Sequence, residues 1–560
     1  MQHWKKPFTL MFFAILFSFS CWLMFHTFGY DEKSQHMRIA TKVSSDFLAN
    51  IPLIRSFSLG DNLSKIFNGK LPEYPIFPGE PIRYHFIFYM LVGVLEKLGL
   101  RIDWALNIPS ILGFFLLLSM IFLLSRKVFN SLAVAILSTV FFCFNGSFAF
   151  LRFFAEHPLS TTTLQDIAKN ATFPAFAPWG AGDISAFWSL NIYTNQRHLA
   201  GAFALALLFI YTTLFMENKP WRKQIPWAII WGLGLGIFPY FHQPVLLILG
   251  IFIVWYWFFI PSLRKFLTLV GLVGAFVVLP QILSLKHGPS LVTWYPGYLI
   301  HNSLTLKYFL LYWWQNLGLH SVLIPFGFLL ASSKVKRLFF PLLIIFGVAN
   351  LVTFTPEIAA NHKFFNFALI VGNMLSAYIV VRFVTSFLYF RNLLPRFIGF
   401  ASLAILMVFL TLSGIIDLFA IANDNIGLSP DVNSHPLARW VLYNTYPSDT
   451  ILNADYTSPV LLSGRKVFLG WPYFSWGAGY DTDTRIRVKR LIFEAKSVDD
   501  QCILLKKYNL SYTVLVSPPE QLDFMPNYSI YLQNGTPVFK TKYGAIEYSV
   551  YDTKSYCHGV

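Results

Sequence analysis

Lys334-Val335-Lys336-Arg337 fills a short gap between two apolar runs, 306–332 and 338–354. Carrying Lys and Arg in a short loop across a bilayer is costly, so such a gap stays on the cytoplasmic side. Outward from it, basic gaps recur after every second apolar run: Arg126-Lys127, Lys219 with Arg222-Lys223, Arg264-Lys265, and Arg391 with Arg396. Lys5 and Lys6 precede the first run. The alternate gaps, around 29–103, 152–197, 285–318 and 355–363, are mostly long, aromatic and His-containing. These face the other side, together with everything after about 423.

A bilayer core takes about 20 apolar residues per helix. Candidate spans are 7–28, 104–125, 130–151, 198–215, 225–241, 244–260, 266–285, 306–332, 338–354, 364–388 and 398–421. Charge alternation thus predicts about 11 transmembrane helices, with the N-terminus inside and the C-terminus outside. The run 7–28 is longer than the ~7–15 residues of a cleaved signal core and reads as a retained first helix. The stretch 84–98 is too short to span and carries Glu96-Lys97, so it reads as a helix in the outer interface.

Composition agrees. Apolar residues make up 55% and charged ones 12%, against roughly 25% charged in soluble domains. The net charge of +16 is gathered largely in the cytoplasmic clusters, where anionic headgroups take it up. No basic run interleaved with aromatics offers a nucleic-acid platform.

The fold class expected is an all-α polytopic membrane domain, 1–422, with a large first outer loop (29–103), followed by a soluble extracytoplasmic α/β or α+β domain, 423–560. In the first loop Pro72, Pro75, Pro78 and Pro81 force an extended stretch. In the tail, strands are predicted at 450–452, 467–469, 512–516 and 546–550, and helices at 436–443 and 484–496. Cys502 and Cys557 both fall on the outer side, where a disulfide is one option; Cys21 and Cys143 lie in spans. No CxxC or His-rich metal spacing occurs, so no metal is required. Asp46 and nearby carboxylates leave a divalent ion open.

The first loop contains Ser45-Asp46-Phe47, Asn50, Arg55-Ser56-Phe57 and Tyr84-His85. With Asn195-Gln196-Arg197-His198, Pro239-Tyr240-Phe241-His242, Asn361-His362-Lys363 and the tail segments Gly464-Arg465, Gly470-Trp471 and Gly479-Tyr480, it resembles membrane glycosyltransferases of the GT-C fold. Protein O-mannosyltransferases and aminoarabinose transferases are of this type. The likeness is greatest to a branch of uncharacterised YYY-type membrane proteins. Phe47 and Asn50 depart from the Trp and His of that branch, so a proton-handling role of the family His has no counterpart at position 50.

The resemblance implies a transferase that moves a sugar from a polyprenyl-phosphate-linked donor to a protein, glycan or lipid acceptor at the extracytoplasmic face of a bacterial or archaeal plasma membrane. A hydroxyl nucleophile needs a base, and Asp46 is the candidate, with helix capping its plain structural role. An anionic leaving group needs fixed cations. Arg197, His198, Lys363 and Arg55 are the candidates, with Arg83 as an alternative, and each has snorkelling to the interface as its bland role. Tyr84, His85, Asn195, Gln196, His242 and Asn361 are candidate pocket residues. Trp313-Trp314 and Trp294-Tyr295 read as interface anchors. A transporter or flippase, and a GT-C-like scaffold without activity, are the competing classes; charges gathered in outer loops favour the enzyme over the transporter.

Overall fold

The structure is a computed structural model and describes residues 5–83, 85–284, 292–300, 302–388, 390, 392–518, 524 and 526–558. Among them, seven helices are long and apolar enough to cross a membrane: Pro7–Thr27, Ile102–Phe129, Arg197–Met216, Trp221–Phe259, Pro261–Gln281, Ile358–Leu388 and Leu393–Ala422. The expected count of about 11 spans is not matched one for one, and each departure has a local cause.

The expected spans 225–241 and 244–260 fall in the single helical stretch Trp221–Phe259, which breaks at His242 (φ −168°, ψ 95°). Pro244 carries no N–H, so the carbonyl four residues back loses its helical donor. That carbonyl, on Tyr240, accepts instead from Phe86 N at 2.9 Å. The two arms fold back on each other. Gly232 and Gly236 of the first arm face Val273 and Val277 of the helix Arg264–Ser284, in rising order. Trp257, late in the second arm, donates to Thr268 near the start of that same helix at 3.0 Å.

The run 130–151 yields the helix Leu132–Cys143 and the start of a second, Ala149–Glu156, and 306–332 splits into Leu306–Leu317 and His320–Leu330. Both interruptions meet at one place. Gly318 adopts φ 53°, and a Cβ there would lie 2.0 Å from the Gly146 carbonyl, so only glycine admits this backbone approach. The run 338–354 shortens to the helix Pro341–Leu351.

Outside the spans, the first loop and the tail are built together. Strand Phe28–Asp31 pairs antiparallel with His36–Ala40, which pairs antiparallel with Ile426–Pro430 at the start of the tail. The loop helix Ser44–Ser58 and the hairpin Glu73–Tyr74/Phe77–Pro81 follow, the latter where the prolines require extended chain. Helix Ile87–Lys97 lies against the loop helix. The tail carries a five-stranded mixed sheet in the order Phe539–Tyr543, Ile546–Asp552, Tyr512–Ser517, Thr450–Asn453, Lys466–Val467. The strand Phe539–Tyr543 is not among the predicted ones because its exposed lysines give it a surface-like pattern. Cys502 and Cys557 are bonded, with Cα atoms 5.6 Å apart.

Composition changes at 423, but the packing boundary does not lie there. Ile54, Phe57 and Tyr74 of the first loop share one apolar core with Val460, Leu461 and Phe468 of the tail. Gly464 (φ 75°) brings the tail backbone against the loop helix, where a Cβ would sit 2.5 Å from the Arg55 carbonyl. Arg55 itself is buried and pairs with Asp431 of the tail at 2.5 Å and with Glu96 at 3.1 Å. Breaking a buried pair strands the remaining charges and costs about 3–5 kcal/mol. Arg55→Ala is therefore expected to lower the unfolding midpoint of the detergent-solubilised protein markedly, measured by thermal or denaturant titration. A midpoint equal to wild type would contradict this bridging role.

Candidate functional site

The loop helix Ser44–Ser58 begins beside the mouth of the helix His362–Leu388, and between them opens a cavity of about 630 Å³. That volume falls within the ~300–1,000 Å³ of small-molecule sites. Its walls come from four parts of the chain: Asp46 and Asn50 from the first loop, Asn195, Gln196 and His198 from the entry to one span, Glu357 and Lys363 from the entry to another, and Trp471 and Tyr473 from the tail.

Asp46 lies in the first turn of its helix, where Val43 rather than Asp46 holds the N-cap position. Capping is therefore not its role. The helix N-terminus favours an anion there, yet burial prevails and pushes the carboxyl up to about 6, with the charge of Lys363 opposing the rise. A carboxyl titrating near neutrality suits proton acceptance.

The cations predicted for one site separate into two groups. Lys363 lines the cavity while 7% exposed, and among the described residues it makes no ion pair with a carboxylate. Lys42, also in the lining, is held by Asp424 at 2.8 Å. Arg197 is 2% exposed and turned away from the cavity. It donates to Thr27 Oγ1 at 2.9 Å, to the Met24 carbonyl at 3.1 Å, to the Thr194 carbonyl at 3.2 Å and to Asn107 Oδ1. With four of its five N–H donors held by fixed partners and its side chain outside the cavity lining, it serves the scaffold rather than a phosphate in the cavity. Arg55 is likewise committed to Asp431 and Glu96. Arg83 reaches the Gly479 carbonyl at 2.6 Å and stacks on Tyr480. These three arginines fasten the scaffold.

The pocket candidates divide as well. Asn195 and Gln196 line the cavity, Asn195 donating to the Lys42 carbonyl at 3.3 Å. Asn361 does not; its amide donates to the Ala349 and Val352 carbonyls at 2.9 and 2.7 Å. His198 is in the wall, whereas His85 and His242 lie behind it with ring centroids 4.2 and 5.3 Å from that of His198. Burial, with the neighbouring imidazoles and Lys363 adding, holds His85 well below the usual imidazole range. Tyr84 lies outside the described residues. Trp313 is buried and donates to Asn350 Oδ1 at 3.2 Å, so it is a packing residue and not an anchor. Trp314 and Trp294 are exposed.

Sequence reasoning missed several lining residues. Glu357 accepts from Ala359 N at 3.1 Å and from Tyr473 Oη at 3.4 Å, which ties a loop between spans to the tail. His362 stacks on Phe187 with centroids 4.0 Å apart and bonds Asn366 at 3.2 Å, buttressing Lys363. Trp179 and Trp471, each about half exposed, stand at the same cavity. Flat aromatic faces of this kind stack on apolar faces of ligands. The segment 355–363 and the pair Gly470-Trp471 were visible as outer-face features, but nothing in their spacing says that they meet.

No family model matches the chain, and no curated protein matches it. Among solved structures it is similar to the apo oligosaccharyltransferase of Archaeoglobus fulgidus, at 12% identity and a TM-score of 0.49, over 90% of this chain and 69% of that one. It is also similar to the archaeal oligosaccharyltransferase AglB of the same organism in complex with an inhibitory peptide and a dolichol-phosphate (13% identity, TM-score 0.48, 90% and 69% covered). A third similar structure is apo ArnT from Cupriavidus metallidurans, at 10% identity and a TM-score of 0.48, with 98% of each chain covered.

Proposed function

We propose that this chain is an integral-membrane glycosyltransferase working at the extracytoplasmic face, with a polyprenyl-phosphate-linked sugar as donor. One observation carries the reading: a single cavity gathers the Asp46 carboxyl from the first loop and the Lys363 ammonium from the mouth of a span. In the reaction the acceptor hydroxyl oxygen bonds to the anomeric carbon as the bond from that carbon to the phosphate oxygen breaks. Asp46 takes the hydroxyl proton. The phosphate leaves with the bonding electron pair, and Lys363 meets its charge, with His198 beside it. Buried between apolar walls, an ammonium stabilises developing phosphate charge more strongly than it would in water. Trp471 and Tyr473 of the tail give the acceptor side an aromatic edge.

Loss of a general base costs about 10²–10⁴ in rate. Asp46→Asn should lower transfer from a panel of polyprenyl-phosphate sugars by that much, with expression and membrane insertion unchanged. Turnover within threefold of wild type would remove Asp46 from the mechanism. The raised carboxyl sets the sign of the pH response: protonated Asp46 is inactive, so kcat/KM should climb with pH up to about 6 and level off above it. A profile flat across that range would contradict the assignment. Removing the positive charge in Lys363→Met takes away the opposing charge and should move the same midpoint upward, by about one unit for a close buried charge. An unmoved or lowered midpoint would place Lys363 too far away to matter.

A further inference from the structure

We propose that His85, His198 and His242 form a three-histidine site for a divalent transition metal, zinc being the best fit, set in the wall of the same cavity. The three rings come from separate segments. His85 precedes the helix Ile87–Lys97, His198 is the second residue of Arg197–Met216, and His242 is the residue at which Trp221–Phe259 breaks. One ligand nitrogen from each lies within 4.8 Å of the others, and none of the three is more than 5% exposed. Zinc–imidazole bonds of about 2.0–2.1 Å in tetrahedral geometry separate the ligand nitrogens by about 3.4 Å. Side-chain movements of about 1 Å therefore close the cluster on an ion.

Three further observations point to a ligand. His242 Nε2 is fully buried with no hydrogen-bond partner among the described residues, an arrangement that costs free energy unless something occupies it. The break that puts His242 there is the one place where the long helical stretch leaves helical geometry. The phenol of Tyr89 meets His198 Nδ1 at 2.9 Å, the outer hydrogen bond that typically fixes the tautomer of a metal-bound imidazole. Ligation by His242 Nε2 requires a proton on Nδ1, which would give up the long 3.4 Å approach from Val245 N.

The chemistry selects the ion. Three neutral nitrogens with no carboxylate suit zinc, copper or nickel and offer nothing to magnesium or calcium, which take oxygen. The three imidazoles bring no negative charge to offset the ion's two positive ones. The fourth ligand must therefore be anionic or readily deprotonated. His198 borders the cavity, which makes hydroxide or a phosphate oxygen the natural occupant. That last step rests on the donor-phosphate reading above; the metal site itself does not.

The test uses full-length protein purified in detergent through a tag without histidine, equilibrated with zinc, freed of excess and assayed by elemental mass spectrometry. One zinc per chain is expected in wild type and in His157→Ala, and loss of it in His242→Ala and His85→Ala. No zinc above the buffer blank, or zinc retained in both cluster variants, overturns the site. Should those variants fail to fold, cobalt-loaded wild type decides. Intense tetrahedral visible bands support the site; weak octahedral bands or none overturn it. Stoichiometric zinc without sugar transfer would sink the donor reading and leave this one standing. Full transfer by metal-free enzyme that takes up no zinc would do the reverse.

Discussion

Arg197 is enclosed where the helices Pro7–Thr27, Ile102–Phe129 and Arg197–Met216 come together. No carboxylate balances it there among the described residues; backbone carbonyls, a hydroxyl and an amide do. A charge removed from water is tolerable only when its donors are met in this way. The same guanidinium faces the rings of Phe28 and Phe47, 5.7 and 5.5 Å from its carbon. Phe47 adjoins Asp46, so the contact that closes one end of these three helices also fixes the start of the loop helix. The position of Asp46 above the cavity follows from that anchorage.

A second buried arginine repeats the principle between loop and tail. Arg55 joins Asp431 and Glu96, and the shared apolar core around Phe57 and Leu461 makes the tail a structural partner of the first loop. The tail can therefore present Trp471 and Tyr473 to the cavity from a fixed direction. Lys363 contrasts with both arginines. It is buried, yet among the described residues no hydrogen bond or ion pair claims it, and ionisable groups in that condition within apolar helices usually serve a ligand.

Much of the membrane domain was legible because its signals are local. Basic gaps and apolar length locate Ile102–Phe129, Arg197–Met216 and Leu393–Ala422 without any tertiary information. The shortened helices were not legible, because their interruption depends on Gly146, Gly318 and Gly414 meeting across long sequence separations. Residue type and predicted outer placement single out Asp46, His198, Lys363, Asn195 and Gln196, all of which line the cavity. The same reasoning could not separate Lys363 from Arg55 and Arg197, since all are cations at helix mouths. Only the partners tell them apart. Glu357 and the three-histidine cluster were invisible for a related reason: their members approach from segments whose spacing carries no pattern.

The account stands or falls on the cavity being the place where a lipid-borne phosphate binds. The most direct measurement is an electron cryomicroscopy structure of the protein with a polyprenyl phosphate. The account predicts phosphate density inside the cavity, within hydrogen-bonding distance of Lys363 Nζ, with the Asp46 carboxyl facing the open side. Phosphate seated outside this cavity, or against the basic cluster at 334–337, would contradict it.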